Sequence, residues 1–339
     1  MQTHAESSRK HSTAGRLTTL APFHLEATVR VLQRRPSNLV DVWDRDRYRR
    51  VLTTTGGPAL VEVTNCGAID TPDVRFVVRS PGVSAAMRSQ IARSLRTMLG
   101  LDLDPEPMQT LALRERALRP TALALRGMRP PRFAGLFDAF ANVIPFQQLS
   151  LDAGVAIVTR LVERFGDYIE HDGQRMSAFP TALAIAEARL PAMRACGLSS
   201  GKASSLRELA RMIVSGKLTE AEISVMSTRD ALSTLVGLPG IGPWSAALVL
   251  LRGFGRLDVF PPGDVGAMRG LRGLLHLGPH APLGRIEARF GKHRGHLYFF
   301  ALGGSLLAKG LIRAAPGQDA EPVSELKAVI TRKFAINGR

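Results

Sequence analysis

"LPGIGPWSA", residues 238–246, sets two glycines two positions apart after a proline and places a tryptophan at the start of an apolar run. In the longer stretch "STLVGLPGIGPWSAALVLL" a first helix is expected to end at Gly237. A second begins at Pro243, where the missing N–H costs nothing. Gly240 and Gly242 then fall in the bend, free to adopt positive φ and to let another backbone approach. The bend amides and the free N–H groups of the next helix would face outward, an anion site that a phosphate fills without any base contact. A tight corner between two helices is the other reading of a bare Gly-x-Gly, and these residues alone leave both open.

Twenty positions after Trp244, within "LDVFPPGDVGAMRGL", stands Asp264, preceded by Pro-Pro-Gly and followed by a helical run. That placement predicts the N-cap of the next helix. A capping carboxylate is an anion held in a rigid position, and a fixed anion is what stabilises a developing cation.

Around these two features lies a chain of 339 residues, 45% of them hydrophobic, enough for two or three domains. Lys and Arg number 45 against 29 Asp and Glu, a net charge of +16 that favours a polyanionic partner or an acidic membrane surface. No apolar run of about 18 residues is present to span a bilayer. The opening "MQTHAESSRKHSTAGR" lacks the apolar centre of a secretory signal, so a cytoplasmic protein is expected. With only Cys66 and Cys196, neither a disulfide framework nor a four-cysteine metal site can be built. His293 and His296 sit three apart in "KHRGHLYFF" with no carboxylate at matching spacing, so they are expected at the surface and no metal is expected. P-loop, HExxH and GxSxG motifs are absent, and no cofactor is expected.

The fold class reads as α+β: an N-terminal antiparallel-sheet α/β domain followed by an all-helical body. Residues 1–16 are expected to form a disordered tail, 17–107 the α/β domain, 108–313 the helical domain and 314–339 a second tail. In the front domain, "FHLEATVRVLQRR" has helical spacing, "YRRVLTTT" and "ALVEVTN" flank the turn Gly56-Gly57-Pro58, and "VRFVVRS" puts Val74, Phe76 and Val78 on one strand face. "SAAMRSQIARSLRTMLGL" then supplies a helix to cover one side of the sheet. Beyond "DLDPEPMQ" no strand is expected, only helices near 133–144, 151–165, 181–188, 200–215, 219–225, 228–236, 243–252, 264–275 and 293–309. Arg126, Arg129 and Arg132 are expected to lie on a spread basic surface.

"LPGIGPWSA" followed by "DVFPPGD" resembles the helix-hairpin-helix and Gly/Pro-Asp signature of the base-excision DNA glycosylase superfamily. Within it the chain is similar to the 3-methyladenine DNA glycosylase II type. Further matching stretches are "RRPSNLVDVWDRDRYRRVL", "RPPRFAGLFDAFANVIPFQQLSLDAG", "RLVERFG" and "RACGLSSGKASSLRELA". The resemblance implies a TATA-binding-protein-like front domain and a body of two helical lobes with a DNA cleft between them. It implies an enzyme that flips an alkylated purine out of damaged double-stranded DNA as a monomer and hydrolyses its N-glycosidic bond.

By the same resemblance Asp264 is the catalytic carboxylate, facing the sugar as it gains oxocarbenium character and orienting the attacking water. Gly240, Ile241, Gly242 and Pro243 match the hairpin that clamps a DNA phosphate, and Gly263 leaves room for the strand. Trp244 stands where strand-cutting relatives carry a nucleophilic lysine, which implies a glycosylase without lyase activity. Gln147 and Gln148 fall where the family inserts a wedge into the gap left by the flipped base, with Gln148 preferred. Lys202 falls near the DNA backbone, behind Ser199 as a helix cap. Trp244, Phe146, Leu248, Val265 and Leu302 are expected to line the base pocket. Leu248, Val265 and Leu302 replace aromatics common in the bacterial type, leaving Trp244, Phe146, Tyr298, Phe299 and Phe300 to supply any cation–π contact. A glycosylase for oxidised or deaminated bases and a non-catalytic DNA-binding protein are the rival readings. Asp264 argues against the latter, because a pure binder has no use for an anion beside the DNA backbone.

Overall fold

A computed structural model describes residues 12–80 and 82–316. Five antiparallel strands make the front sheet: β1 (Ser12–Leu17), β2 (Val42–Asp44), β3 (Arg47–Thr54), β4 (Gly57–Asn65) and β5 (Val74–Arg79), in the order β1-β5-β4-β3-β2. Gly57, at φ +98, lets β3 turn directly into β4 with Thr54 opposite Gly57. Val74, Phe76 and Val78 are buried on one face, as their alternation predicts, and the helices Leu25–Gln33 and Ala85–Leu99 share that core through Val29, Leu32, Ile91 and Leu95.

Part of the tail expected over 1–16 is ordered as a strand. Residues 12–16 belong to β1, which runs antiparallel to β5 with Leu17 opposite Val74, and residues 1–11 lie outside those described. An edge strand with one buried apolar side chain, Leu17, carries almost no local signal, and its order comes from the ladder to β5. Of the second expected tail, 314–316 are described, with Ala315 N–H donating to Ala124 O at 2.8 Å, and the rest lies outside.

The body departs from an all-helical reading at one place. Two further strands, β6 (Tyr168–His171) and β7 (Gln174–Ser177), form a hairpin around Asp172 and Gly173, both at positive φ. Met176 and Ala178 pack on Val51 and Leu60, so the hairpin covers the second face of the front sheet. Four-residue strands have too few positions to show a period, and the apolar surface they bury against belongs to another part of the chain.

The expected helices recur with shifted ends. Of 133–144 only Leu136–Ala141 is α-helical, followed by a 3-10 turn at Ile144–Phe146, and 293–309 becomes Gly295–Ala308. The helices Glu106–Arg114, Arg119–Ala124 and Leu190–Ala195 were hidden by prolines that read as breakers but occupy the first turn, where proline is tolerated. Gly295–Ala308, apolar on all sides, runs through the core against Val265–Leu274, Leu25–Gln33 and Arg119–Ala124. No described helix is long and apolar enough to cross a membrane.

Front domain and body are tied by a buried polar cluster. Arg50 on β3 donates to Asp41 at 2.8 Å and to Asp138 of the helix Leu136–Ala141 at 2.7 Å, and Tyr48 Oη donates to the same Asp41 oxygen at 2.7 Å. Removing one partner of such a cluster leaves a buried charge uncompensated, so the pairing joins the sheet to the body.

Candidate active site

The helix Thr228–Val236 is capped by Gly237, and five positions later Gly242 caps the helix Pro243–Arg252, as the sequence predicts. Gly240 sits at φ +71, and a Cβ there would lie 2.8 Å from the Ser205 Cβ, so conformation and space both demand glycine. Gly242 is different: its φ of −90° suits any residue, and a Cβ would meet nothing within 4 Å. The expectation of positive φ therefore holds at Gly240 only. Gly242 and Pro243 are exposed, whereas the Ile241 side chain is 4% exposed and its N–H donates to Leu238 O at 3.2 Å. Ile241 anchors the bend and offers no outward group. The amides of Trp244 and Ser245, in the first turn, have no intrahelical partner.

Asp264 caps the helix Val265–Leu274, its Oδ1 accepting from Ala267 N–H at 2.8 Å. Its Oδ2 accepts from the indole Nε1 of Trp244 at 3.0 Å, and the carboxylate is half-buried rather than sealed. Gly263 before it is at φ +70 with open space where a Cβ would be, so the turn requires glycine and the approach stays clear. Trp244 thus performs a task the sequence did not reveal: it fixes the second carboxylate oxygen from a different helix.

Asp264 and Trp244 open on a cleft of about 490 Å³ whose wall includes Phe146, Leu248, Val265, Leu302 and Tyr298, together with Leu149 and, from the front domain, Arg34 and Arg35. The expected pocket residues are all present there. Phe299 and Phe300, in contrast, are buried in the core and do not reach the cleft, since the helix Gly295–Ala308 turns them away from Tyr298 and Leu302. Phe146 lines the cleft but its ring carries the Arg34 guanidinium, 4.9 Å from the centroid.

Gln147 and Gln148 point to different fates. Gln148 is exposed at φ +56, an uncommon conformation for a side-chain-bearing residue, beside the exposed Leu149. Gln147 does not project: its Nε2 donates to Gly240 O at 2.8 Å and to Ser245 Oγ at 2.9 Å. Lys202, expected near DNA, instead donates through Nζ to Gln147 O at 2.6 Å and Pro145 O at 3.3 Å, and burial lowers its ammonium below the usual lysine range. Ser199 is the cap that the sequence predicts, its Oγ accepting from Lys202 N–H at 3.3 Å.

Arg126, Arg129 and Arg132 are staples, not a basic surface. Arg129 is buried and donates to the carbonyls of Leu20 and Pro22, each at 2.8 Å, Arg132 donates to Gly253 O at 2.9 and 2.6 Å, and Arg126 pairs with Asp70. Backbone carbonyls exposed at turns are good guanidinium partners, a destination charge counting does not foresee. Sequence reading also missed Arg34 and Arg252, buried and stacked on Phe133 at 5.3 and 4.7 Å from its centroid. Burial, with the Arg34 charge adding, pushes the Arg252 guanidinium down to about 9. His296 is likewise core, with its Nδ1 3.1 Å from His293 O. Among the described residues no three His, Cys, Asp or Glu side chains are grouped to hold a metal.

Comparison with known proteins agrees with this layout. Residues 141–291 match the family described as HhH-GPD superfamily base excision DNA repair protein, and residues 15–135 match the AlkA N-terminal domain. A DNA-3-methyladenine glycosylase of Bacillus subtilis is 28% identical over 204 residues, 60% of this chain and 67% of that protein. A putative DNA-3-methyladenine glycosylase of the same organism is 27% identical over 255 residues, 74% of this chain and 84% of that one. The structure of a 3-methyladenine DNA glycosylase from Archaeoglobus fulgidus superposes with a TM-score of 0.71 at 26% identity, covering 87% of this chain and 98% of that chain.

Proposed function

Because the chain belongs to the HhH-GPD superfamily of base excision DNA repair proteins, we propose that it is a monofunctional DNA glycosylase releasing alkylated bases from damaged duplex DNA, acting as a monomer in the cytoplasm. The observation that carries this reading is the Asp264 carboxylate, held by Ala267 N–H and Trp244 Nε1–H at the edge of a cleft. Its substrates are alkylated purines of the 3-methyladenine and 7-methylguanine kind, and the names of the relatives support the first of these.

The flipped nucleotide brings its sugar to Asp264 while a neighbouring phosphate rests on the open face of Gly242 and the free amides of the helix Pro243–Arg252. As the C1′–N bond lengthens, positive charge grows on the sugar, and a preorganised carboxylate stabilises it without reorganising. Asp264 then orients water toward C1′ and accepts its proton. Trp244 has no amine with which to attack the sugar, so no covalent intermediate and no strand cutting follow. Gln148, at the tip of the loop, fills the gap in the duplex.

The test separates base release from strand nicking. Methylated duplex DNA is incubated with the wild type and with Asp264→Asn, which preserves a cap. Wild type is expected to release methylpurines without nicking before alkali, and the variant to lose about a hundredfold or more in rate. Release that survives the substitution removes Asp264 from the mechanism, and direct nicking overturns the monofunctional assignment.

A further inference from the structure

Arg34 enters the cleft as a cation with no acidic partner. It is 7% exposed, held at φ +63, and its Nε and Nη2 are sealed without a hydrogen bond, which leaves Nη1 as the nitrogen of that guanidinium with access. Arg252 behind it is fully buried with Nε and Nη1 unpartnered. A desolvated guanidinium without an ionic partner is costly to keep.

Two consequences follow for a base that enters. Phe146 would be a cation–π partner for a charged alkylpurine, but its ring already carries Arg34 at 4.9 Å, so a second cation on that ring meets repulsion. A neutral base presents carbonyl oxygens that an open guanidinium N–H can bond, and it departs as an anion that a neighbouring cation stabilises.

We propose that Arg34 is a specificity-determining residue of the cleft, favouring flipped bases that are neutral and carry a carbonyl over bases that carry positive charge. The C1′–N bond breaks with its electron pair going to the base, and the resulting anion is held at its carbonyl by Arg34 Nη1–H. Water oriented by Asp264 adds hydroxide to C1′, Asp264 takes up the proton and passes it to the departed base, so the sum is hydrolysis. This rests on the glycosylase reading above and names the class of base that the same site prefers.

The full chain is tested on duplex oligonucleotides bearing one hypoxanthine or one 7-methylguanine. Both keep the carbonyl at the same ring position, and the nucleosides differ in charge. With wild type alone, acceleration over spontaneous release in the same buffer is expected to be at least tenfold greater for hypoxanthine. Arg34→Met is expected to shift the ratio of the two single-turnover rates at least tenfold toward 7-methylguanine, and Arg34→Lys to shift it less. A wild-type preference in acceleration for 7-methylguanine, or a fall of both rates by the same factor in Arg34→Met, overturns the inference while leaving the glycosylase reading intact. Failure of the wild type to release either base, or methylpurines from methylated DNA, removes both.

Discussion

Trp244 and Asp264 are joined across two helices, the indole Nε1 donating to Oδ2 at 3.0 Å while Ala267 N–H holds Oδ1 at 2.8 Å. Each carboxylate oxygen therefore has one fixed partner, and the two partners come from separate elements. The orientation of the carboxylate is thus set jointly by the hairpin helix and by its own cap, so a shift of the hairpin is felt at the anion.

Trp244→Phe keeps a ring in the cleft wall and removes the donor. A hydrogen bond to a charged group contributes about 1.5–3 kcal/mol, so base release at saturating enzyme is expected to fall about ten- to a hundredfold. DNA affinity should change little, because the indole N–H faces the carboxylate and not the strand. Single-turnover release and a binding titration of the same variant check both statements; a loss confined to affinity contradicts this role.

The two glycines of the bend should respond differently to alanine. Gly240→Ala places a Cβ at φ +71 and against Ser205, and a loss of about 1–3 kcal/mol in chemical denaturation is expected. Gly242→Ala meets open space at an ordinary φ, so stability should stay within about 0.5 kcal/mol. If a strand lies on that open face, the second variant nonetheless binds duplex DNA more weakly. Equal binding by Gly242→Ala and wild type would place the phosphate elsewhere.

Gln147 links the loop before the helix Leu151–Phe165 to the hairpin, with its side chain on Gly240 O and Ser245 Oγ and its own carbonyl on Lys202. Gln147→Leu removes both side-chain bonds and leaves the loop free to move against the bend. Base release is expected to drop more than tenfold, with a smaller change in stability of about 1–2 kcal/mol. Gln147→Asn, too short to reach, should behave like the leucine variant. Recovery of full rate by asparagine would show that the amide, and not its reach, is what matters.

Legibility in the sequence followed the range of the physics. The Gly237 stop, the Pro243 start and the Asp264 cap were readable because each is decided by backbone chemistry within a turn. Val74, Phe76 and Val78 were readable because a buried face imposes a period of two. What stayed hidden depends on residues far apart in the chain: Gln147 bonding the bend 93 positions later, Arg132 bonding Gly253, and Arg34 from the front domain entering a cleft of the body. The hairpin β6–β7 was missed for the same reason, since Met176 finds its apolar partners on β3 and β4. His293 and His296, three apart with no carboxylate at matching spacing, read as surface residues. The helix Gly295–Ala308 nevertheless buries His296, which is 6% exposed.

That burial has a consequence for acid stability. Desolvation drives the His296 imidazole down to about 4, against a usual histidine value of 6.5, although its bond to the His293 carbonyl works in the opposite direction. Between these values the unfolded chain takes up a proton that the folded chain refuses, so stability falls as pH drops from about 6.5 and the loss is complete near 4. The full loss from this one residue is on the order of 3 kcal/mol. His24, also lowered by burial, titrates in the same direction, so the comparison must be made against a variant that leaves it in place. His296→Leu has no proton to take up, and its unfolding free energy is expected to decline less between pH 6.5 and 4.5 than that of the wild type. Urea unfolding at a series of pH values measures both slopes. Identical slopes would mean that His296 reaches water in the folded protein and is not packed as described.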